Sequence, residues 1–244
     1  RGIITRKDTD GLELNWGNQE ATLEVIRKIA LREGFGNLMA DGFDKFAERV
    51  GKDAQRYNLT IKGAPAGGFE PRVMIGGALS LLTTTSGNAL KSAVTMEYGE
   101  GTVPKLAERR AREYFDIPSL APEAVEGKEK VVIWAENLKA MVDSVPGCLF
   151  NSSIFGLGLK GGLNQDDYAK MLTVATGVQY DGEKLLKLGE KVYVMQMAYD
   201  AREGLRRESF VLPERLVKEP IASGPWKGKV ANIEAIYHLL DLYF

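Results

Sequence analysis

Cysteine and histidine are nearly absent from this 244-residue chain, which has one of each, Cys148 and His238. A single thiol excludes an internal disulfide, so nothing calls for an oxidising compartment and a cytoplasmic location is the default expectation. Excess charge is missing as well: 32 Lys and Arg against 33 Asp and Glu leave a net charge of -1. A counterion-releasing nucleic-acid binder shows a basic excess or a basic face, so no nucleic-acid partner is expected. Basic and acidic residues instead intermingle, as in KLAERRAREYFD at 105–116, the pattern of a solvated helix face. No run of about 18 apolar residues occurs. No signal-peptide pattern is found either, so neither a membrane span nor an export signal is expected. Two fingerprints are also lacking: the glycine pattern that follows a strand in dinucleotide-binding folds, and the G-K-S or G-K-T of a phosphate loop. Few stretches alternate with period two, which leaves strands a minor part at most.

What the sequence has in quantity is helical periodicity. In NQEATLEVIRKIALREG, 18–34, Asn18 is placed to cap a helix, Leu23, Val25, Ile26, Ile29 and Ala30 share a face, and Gly34 is the stop. NLMADGFDKFAERVG, 37–51, repeats the scheme with Leu38, Phe43, Phe46, Ala47 and Val50 inward and Gly51 as the stop. Further helices are predicted over roughly 76–85, 103–115, 128–143, 165–176, 182–203 and 230–243. Short strands are expected at LTIKG, 59–63, and FVLP, 210–213. The length suffices for one large domain or two modest ones with a buried interior. KGAPAGGFEPR, 62–72, with two prolines and three glycines after Lys62, marks a junction. The expected architecture is mainly α and multihelical, two packed helical domains over 1–60 and 61–244.

Two short bends interrupt this pattern with polar chemistry. DSVPGCLF, 143–150, places Cys148 behind Asp143, Pro146 and Gly147. Pro146 and Gly147 break the helix ending near Asp143, so main-chain N–H groups are free there to stabilise a thiolate or a cluster sulfur. The alternative is a small buried hydrophobe, the commoner state of a lone cysteine. If Cys148 is a ligand of an iron–sulfur cluster, which takes four, its partners lie elsewhere. DTDGLELNWGN, 8–18, has a related arrangement in Asp8 and Gly11. A carboxylate acceptor beside main-chain donors suits a polar ligand with ring N–H groups and phosphate. Each bend also reads as an Asx-type turn that caps or ends a helix. Elsewhere, Tyr193, Met195, Met197 and Tyr199 form a stripe expected in the core, and Trp16 and Trp134 are expected to pack. Arg202, Arg206 and Arg207 are expected in surface ion pairs, and His238 in a structural role within an apolar C-terminal helix.

These residues, taken in order, resemble the aldehyde ferredoxin oxidoreductases, tungsten (sometimes molybdenum) enzymes with two pyranopterins and one 4Fe–4S cluster. DTDGLE resembles the family's first D-x-x-G-L motif, which ends in C or D, and the following two helices keep the family pattern. KGAPAGGFEPR sits where a KG…PR segment is expected. YDAREGLRRESFVLPER resembles the Arg-rich stretch after a long late helix, and HLLDLYF stops where a D-x-Y-Y segment begins. The resemblance covers most of the chain and implies that it is the helical C-terminal two-thirds of such a protein. By that likeness Asp8, Gly11 and Leu12 line one pterin, with Glu13 in place of the usual Asp or Cys. Asp143 and the turn at Gly147 serve the other pterin, and Cys148, five residues after Asp143, is the fourth cluster ligand. Its three partners, a C-x-x-C-x-x-x-C group, are then expected ahead of Arg1. Lys91, in LLTTTSGNALKSA at 81–93, keeps the basic position that reaches a pterin phosphate.

Two departures from the family pattern stand out. Pro146 and Gly147 occupy positions where Gly and Leu are usual, and Ala89 occupies that of a histidine that moves a proton near the metal. Alanine cannot, so an acid–base contribution of about 10²–10⁴-fold has to come from another group or be absent. The activity implied is oxidation of an aldehyde to a carboxylic acid, with electrons leaving through the cluster to ferredoxin or a similar carrier. Tungsten (or molybdenum) bis-pyranopterin and the 4Fe–4S cluster are expected only in the complete protein. The implied partners are a small aldehyde, the electron carrier and the N-terminal region of the same protein, without membrane or nucleic acid, and a homodimer is allowed. A benzoyl-coenzyme A reductase-type subunit, or a non-catalytic helical scaffold descended from such an enzyme, are the alternatives to which Ala89 points.

Overall fold

Four of the described helices begin where the sequence offers a side-chain acceptor to their unpaired first N–H groups. The computed structural model describes residues 2–66, 70–85, 104–153 and 162–244. Helix α1, Gln19–Leu31, starts at Asn18, whose side chain accepts from the Ala21 N–H. It ends at Arg32 in the left-handed region (φ 55°) rather than at Gly34. Gly34 opens α2, Gly34–Met39, and α3 covers Phe43–Val50. The single helix expected over 37–51 is therefore broken, at Gly42 (φ 92°), a backbone state that glycine takes without steric cost. After a 3₁₀ turn, Ala54–Tyr57, come β1, Thr60–Ile61, and β2, Ala64–Pro65, paired antiparallel with Ile61 opposite Ala64.

The remaining helices are α4 (Ile75–Thr83), α5 (Pro104–Phe115), α6 (Lys128–Ser144), α7 (Gln165–Thr176), α8 (Gly182–Arg202), α9 (Glu214–Lys218) and α10 (Ile233–Tyr243). Asn164 and Asp167 form a capping box on α7, Asp181 caps α8 and Asn232 caps α10. The described residues are thus mainly α, as the periodicity implies. FVLP is not a strand: residues 210–213 carry no regular secondary structure. Its alternation survives, because Phe210 and Leu212 are buried while Val211 faces solvent.

Helix α4 is buried along its whole length. Ile75, Ala78, Leu79 and Leu82 pack with Val132 of α6, Phe210, Leu216 of α9, and Ile236, Leu239 and Leu240 of α10. On its other side α6 sets Leu138, Met141 and Val142 against Tyr168 of α7 and Leu185 of α8. Trp134 lies partly buried where that cluster meets a third, its ring edge-on to Phe115 of α5 at 5.5 Å. α6 and α8 touch backbone to backbone at Gly189, where a Cβ would stand 1.9 Å from the Asn137 carbonyl oxygen.

Several inward assignments are overturned. Leu23, Ile26 and Phe43 are more than half exposed, and Ala21, Val25, Phe35, Gly36 and Ala47 are the buried residues of the first three helices. Trp16 is fully exposed rather than packed. In α8 the stripe splits, Tyr193 being buried while Met195 and Tyr199 face outward. Periodicity locates an apolar face, but short helices with few neighbours leave part of it uncovered.

Candidate functional site

The first bend is closed by its own side chains. Asp8 accepts from the Thr5 N–H at 2.8 Å, the Thr5 hydroxyl at 2.7 Å and Lys52 Nζ at 3.3 Å. The Thr5 bonds, with Lys52 behind them, hold the Asp8 carboxyl below its ordinary range. Asp10, at φ 56°, accepts from Lys28 Nζ at 2.9 Å and from the Phe35 N–H at 2.8 Å, which ties the bend to α1 and α2. The Gly11 N–H donates to the Arg6 carbonyl and that of Leu12 to Thr9. The buried Thr9 hydroxyl donates to the Leu12 carbonyl at 2.7 Å. Glu13 pairs with Arg6 at 2.7 Å. Gly11 lies at φ 85°, and nothing stands within 4 Å of where its Cβ would be.

The second bend is sparser. The Gly147 N–H donates to the Val142 carbonyl at 2.8 Å as α6 ends. A Cβ on Gly147 would lie 2.9 Å from Val142 Cγ1 and 3.1 Å from the Tyr168 hydroxyl, so the turn is pressed against α6 and α7. Asp143 pairs with Lys139 one turn back and is half exposed. Cys148 is exposed in extended backbone, with buried Leu149 anchoring the 3₁₀ turn Leu149–Asn151 behind it. The aliphatic alternative for this cysteine does not hold. Burial raises the Tyr168 phenol, and the neighbouring Cys148 adds to the effect.

Among the described residues no hydrogen bond or ion pair joins the two bends, and no group of three or more His, Cys, Asp and Glu side chains is arranged to hold a metal. Lys91 and Ala89 lie outside the described residues. His238 is exposed, while its neighbours Leu239 and Leu240 fill the core. Arg207 pairs with Asp241 at 2.8 Å and lies over the Tyr237 ring, and Arg206 donates to the Ala201 and Leu205 carbonyls.

One polar cluster escaped the sequence reading. Glu136 of α6 is wholly buried and accepts from the Thr83 hydroxyl and from the Tyr243 hydroxyl, both at 2.5 Å. Desolvation pushes its carboxyl up to about 7 against the pull of those hydroxyls. Lys62 donates to the carbonyls of Leu82 and Thr84, and burial brings it down to about 8. The available signal is phase: Glu136 lies four residues after Val132, on the stripe that turns to the core.

Residues 1–244 match the family described as aldehyde ferredoxin oxidoreductase, domains 2 and 3. The tungsten-containing aldehyde ferredoxin oxidoreductase of Pyrococcus abyssi is 31% identical over 239 residues, 96% of this chain and 36% of that protein. Its namesake in Thermococcus kodakarensis is 29% identical over 237 residues, again 96% of this chain and 35% of that one. The chain therefore spans about a third of the length of these relatives, not the two-thirds that the resemblance implied. Among solved structures, the active site complex BamBC of benzoyl coenzyme A reductase with 1,5-dienoyl-CoA superposes with a TM-score of 0.70. That alignment covers 99% of this chain and 38% of the other at 23% identity, a likeness of fold. No helix among the described residues is long and apolar enough to cross a membrane.

Proposed function

The chain belongs to the aldehyde ferredoxin oxidoreductase family, and from that premise we propose that it is the cofactor-enclosing helical part of a cytoplasmic tungsten (or molybdenum) bis-pyranopterin oxidoreductase. Its reaction is the oxidation of an aldehyde to a carboxylic acid, with ferredoxin or a similar carrier taking the electrons. In this reading two helical domains meet near residue 60. The observation that carries the proposal is the exposed thiol of Cys148 at the end of an acid-led bend, in a chain with no other cysteine.

Two features of the bends suit large cofactors. The Cys148 sulfur is open to approach, and the flank of Gly11 is clear. In number the donors fall short, since a cluster takes four ligands and this chain has one thiolate to give. Three further cysteines of the complete protein would close that set. When bound, the metal supplies Lewis-acid and two-electron redox chemistry and the cluster passes electrons on singly. The chain's own residues hold and orient. Asp8 and Asp143 are the acceptors for ring N–H groups, the Gly11–Leu12 and Gly147 turns are the surfaces against which a pterin lies, and Lys91 is the phosphate partner. Glu13, paired with Arg6, carries a charge where the family has Asp or Cys.

Ala89 favours a second reading, a reductase of the same superfamily whose chemistry does without a proton-transferring histidine at that position. Metal analysis and an assay of the purified complete protein test both. Tungsten or molybdenum together with iron, and aldehyde-dependent reduction of a viologen dye, are the expected results. Metal without aldehyde-dependent reduction selects the second reading, and absence of both metals and iron leaves only a helical scaffold.

A further inference from the structure

The C-terminal end of α4 is held from four directions. A helix leaves its last carbonyls without intrahelical donors, and in a buried helix they need partners. Lys62 Nζ, from the turn between β1 and β2, donates to the carbonyls of Leu82 at 2.5 Å and Thr84 at 2.6 Å. The Tyr193 hydroxyl of α8 donates to the Thr83 carbonyl at 3.0 Å. The Thr83 hydroxyl donates to Glu136 of α6, whose other oxygen accepts from Tyr243 of α10. Three consecutive carbonyls and one hydroxyl are thus taken by tertiary side chains.

Stability alone does not call for this arrangement. Burying an ammonium and a carboxylate carries a desolvation cost that well-packed apolar residues avoid, so such groups are weak evidence of stabilisation. What they do specify is position. An ammonium at a helix C-terminus also lies at the favourable end of the helix dipole. The chain that leaves this anchor at Thr85 runs into the stretch with Lys91, the phosphate partner of the functional reading.

We propose that Glu136 and Lys62, with Tyr193 and Tyr243, are positioning residues that clamp the exit of α4 and so set where the cofactor-binding segment after it starts, an inference that rests on the functional reading above. The clamp is complete when Glu136 is ionised, since both carboxylate oxygens then accept O–H groups. Protonation turns one of these acceptors into a donor and breaks the pattern. The groups facing Glu136 are Thr83, Tyr193, Tyr243 and the charge of Lys62, and Lys62 in turn faces Asp200 of α8 and the Phe210 ring at 4.5 Å. Lys62 reaches water through a hollow of about 450 Å³ lined also by Thr85, Asp200, Glu203 and Ser209.

The signs of the two titrations make the clamp distinguishable from plain core. Glu136 is raised from 4.5 to about 7, so its contribution to global stability is full below 4.5 and is lost as pH rises through 7. Lys62 is lowered from 10.5 to about 8, so its contribution is full above 10.5 and is lost as pH falls through 8. From pH 7.5 to pH 6 the Glu136 effect raises global stability, whereas the clamp itself loosens.

Hydrogen exchange by mass spectrometry on the complete protein, corrected for intrinsic rates, separates the two. The amides of 82–85 are expected to lose protection in the unaltered protein at pH 6 relative to pH 7.5. In Glu136→Gln and in Tyr243→Phe they should exchange about tenfold faster at pH 7.5, with Glu136→Gln insensitive to the pH step and α8 amides unchanged. Unchanged protection of 82–85 in both variants overturns the proposal, as does a loss spread evenly over α6, α8 and α10. Exchange needs no bound metal, so failure of the functional reading, seen as absence of tungsten, molybdenum and iron, is told apart from failure of the clamp.

Discussion

The two acid-led bends look alike in sequence and differ in how complete they are. Asp8 and Asp143 each stand five residues ahead of the last member of their bend, Glu13 and Cys148. In the first, the polar side chains are engaged within the chain, Asp8 by Thr5 and Lys52, Asp10 by Lys28 and Phe35, and Glu13 by Arg6. The second has one ion pair, from Asp143 to the preceding turn of its own helix, and ends in an exposed thiol. Its backbone is less at ease too: Pro146 lies at φ 24° where the corresponding Gly11 lies at 85°, and a pyrrolidine ring resists positive φ. A bend that satisfies itself is ready-made scaffold. The second leaves its thiol uncovered, which is what the proposed ligand role requires.

The largest expected effect that would break this contrast comes from the last residue of each bend. Cys148→Ser in the complete protein should remove the cluster, seen as loss of its iron and visible absorption, whereas Glu13→Gln should leave the iron content unchanged. Equal iron in the two variants would return Cys148 to the status of a bystander. The glycines come next. Gly147→Ala puts a Cβ 2.9 Å from Val142 Cγ1, an overpacking that costs about 1–3 kcal/mol. Gly11→Ala meets open space and costs only the left-handed backbone, roughly 1 kcal/mol. Denaturant midpoints of the two variants check the order, and Gly11→Ala proving the worse would mean that the first bend is the tighter one.

Much of this was legible in the residues, for reasons that can be traced. Caps at Asn18, Asn164, Asp181 and Asn232 act locally, so the starts of α1, α7, α8 and α10 follow from nearest neighbours in sequence. The break at Gly42 lay in plain view as Asp41–Gly42, yet the apolar positions on either side keep helical phase and conceal it. Burial was less legible, because Leu23 and Phe43 are apolar in a helical face that nothing in the described chain covers. The two bends were found through spacing, but their inequality was not. Lys52 reaches Asp8 across 44 residues and Phe35 reaches Asp10 across 25, and no local pattern encodes such partners. The Glu136 cluster fails the same way, since Thr83 and Tyr243 lie 53 and 107 residues away.

The smallest effects separate the two leading carboxylates. Asp143→Asn takes the half-exposed carboxylate from Lys139, four residues back, whose own side chain is buried, and leaves a neutral amide oxygen to accept in its place. Asp8→Asn takes the charge from two Thr5 bonds and from Lys52, so its melting temperature at pH 7 should fall further than that of Asp143→Asn. Because the Asp8 carboxyl is held below its ordinary 3.8, its contribution is present above that value and lost as pH falls through the lowered one. The gap between Asp8→Asn and the unaltered protein should accordingly narrow on acidification below pH 4. A gap of constant size would assign the Thr5 turn to shape alone, and a larger drop for Asp143→Asn would mean that the second bend, not the first, is the one that folding relies on.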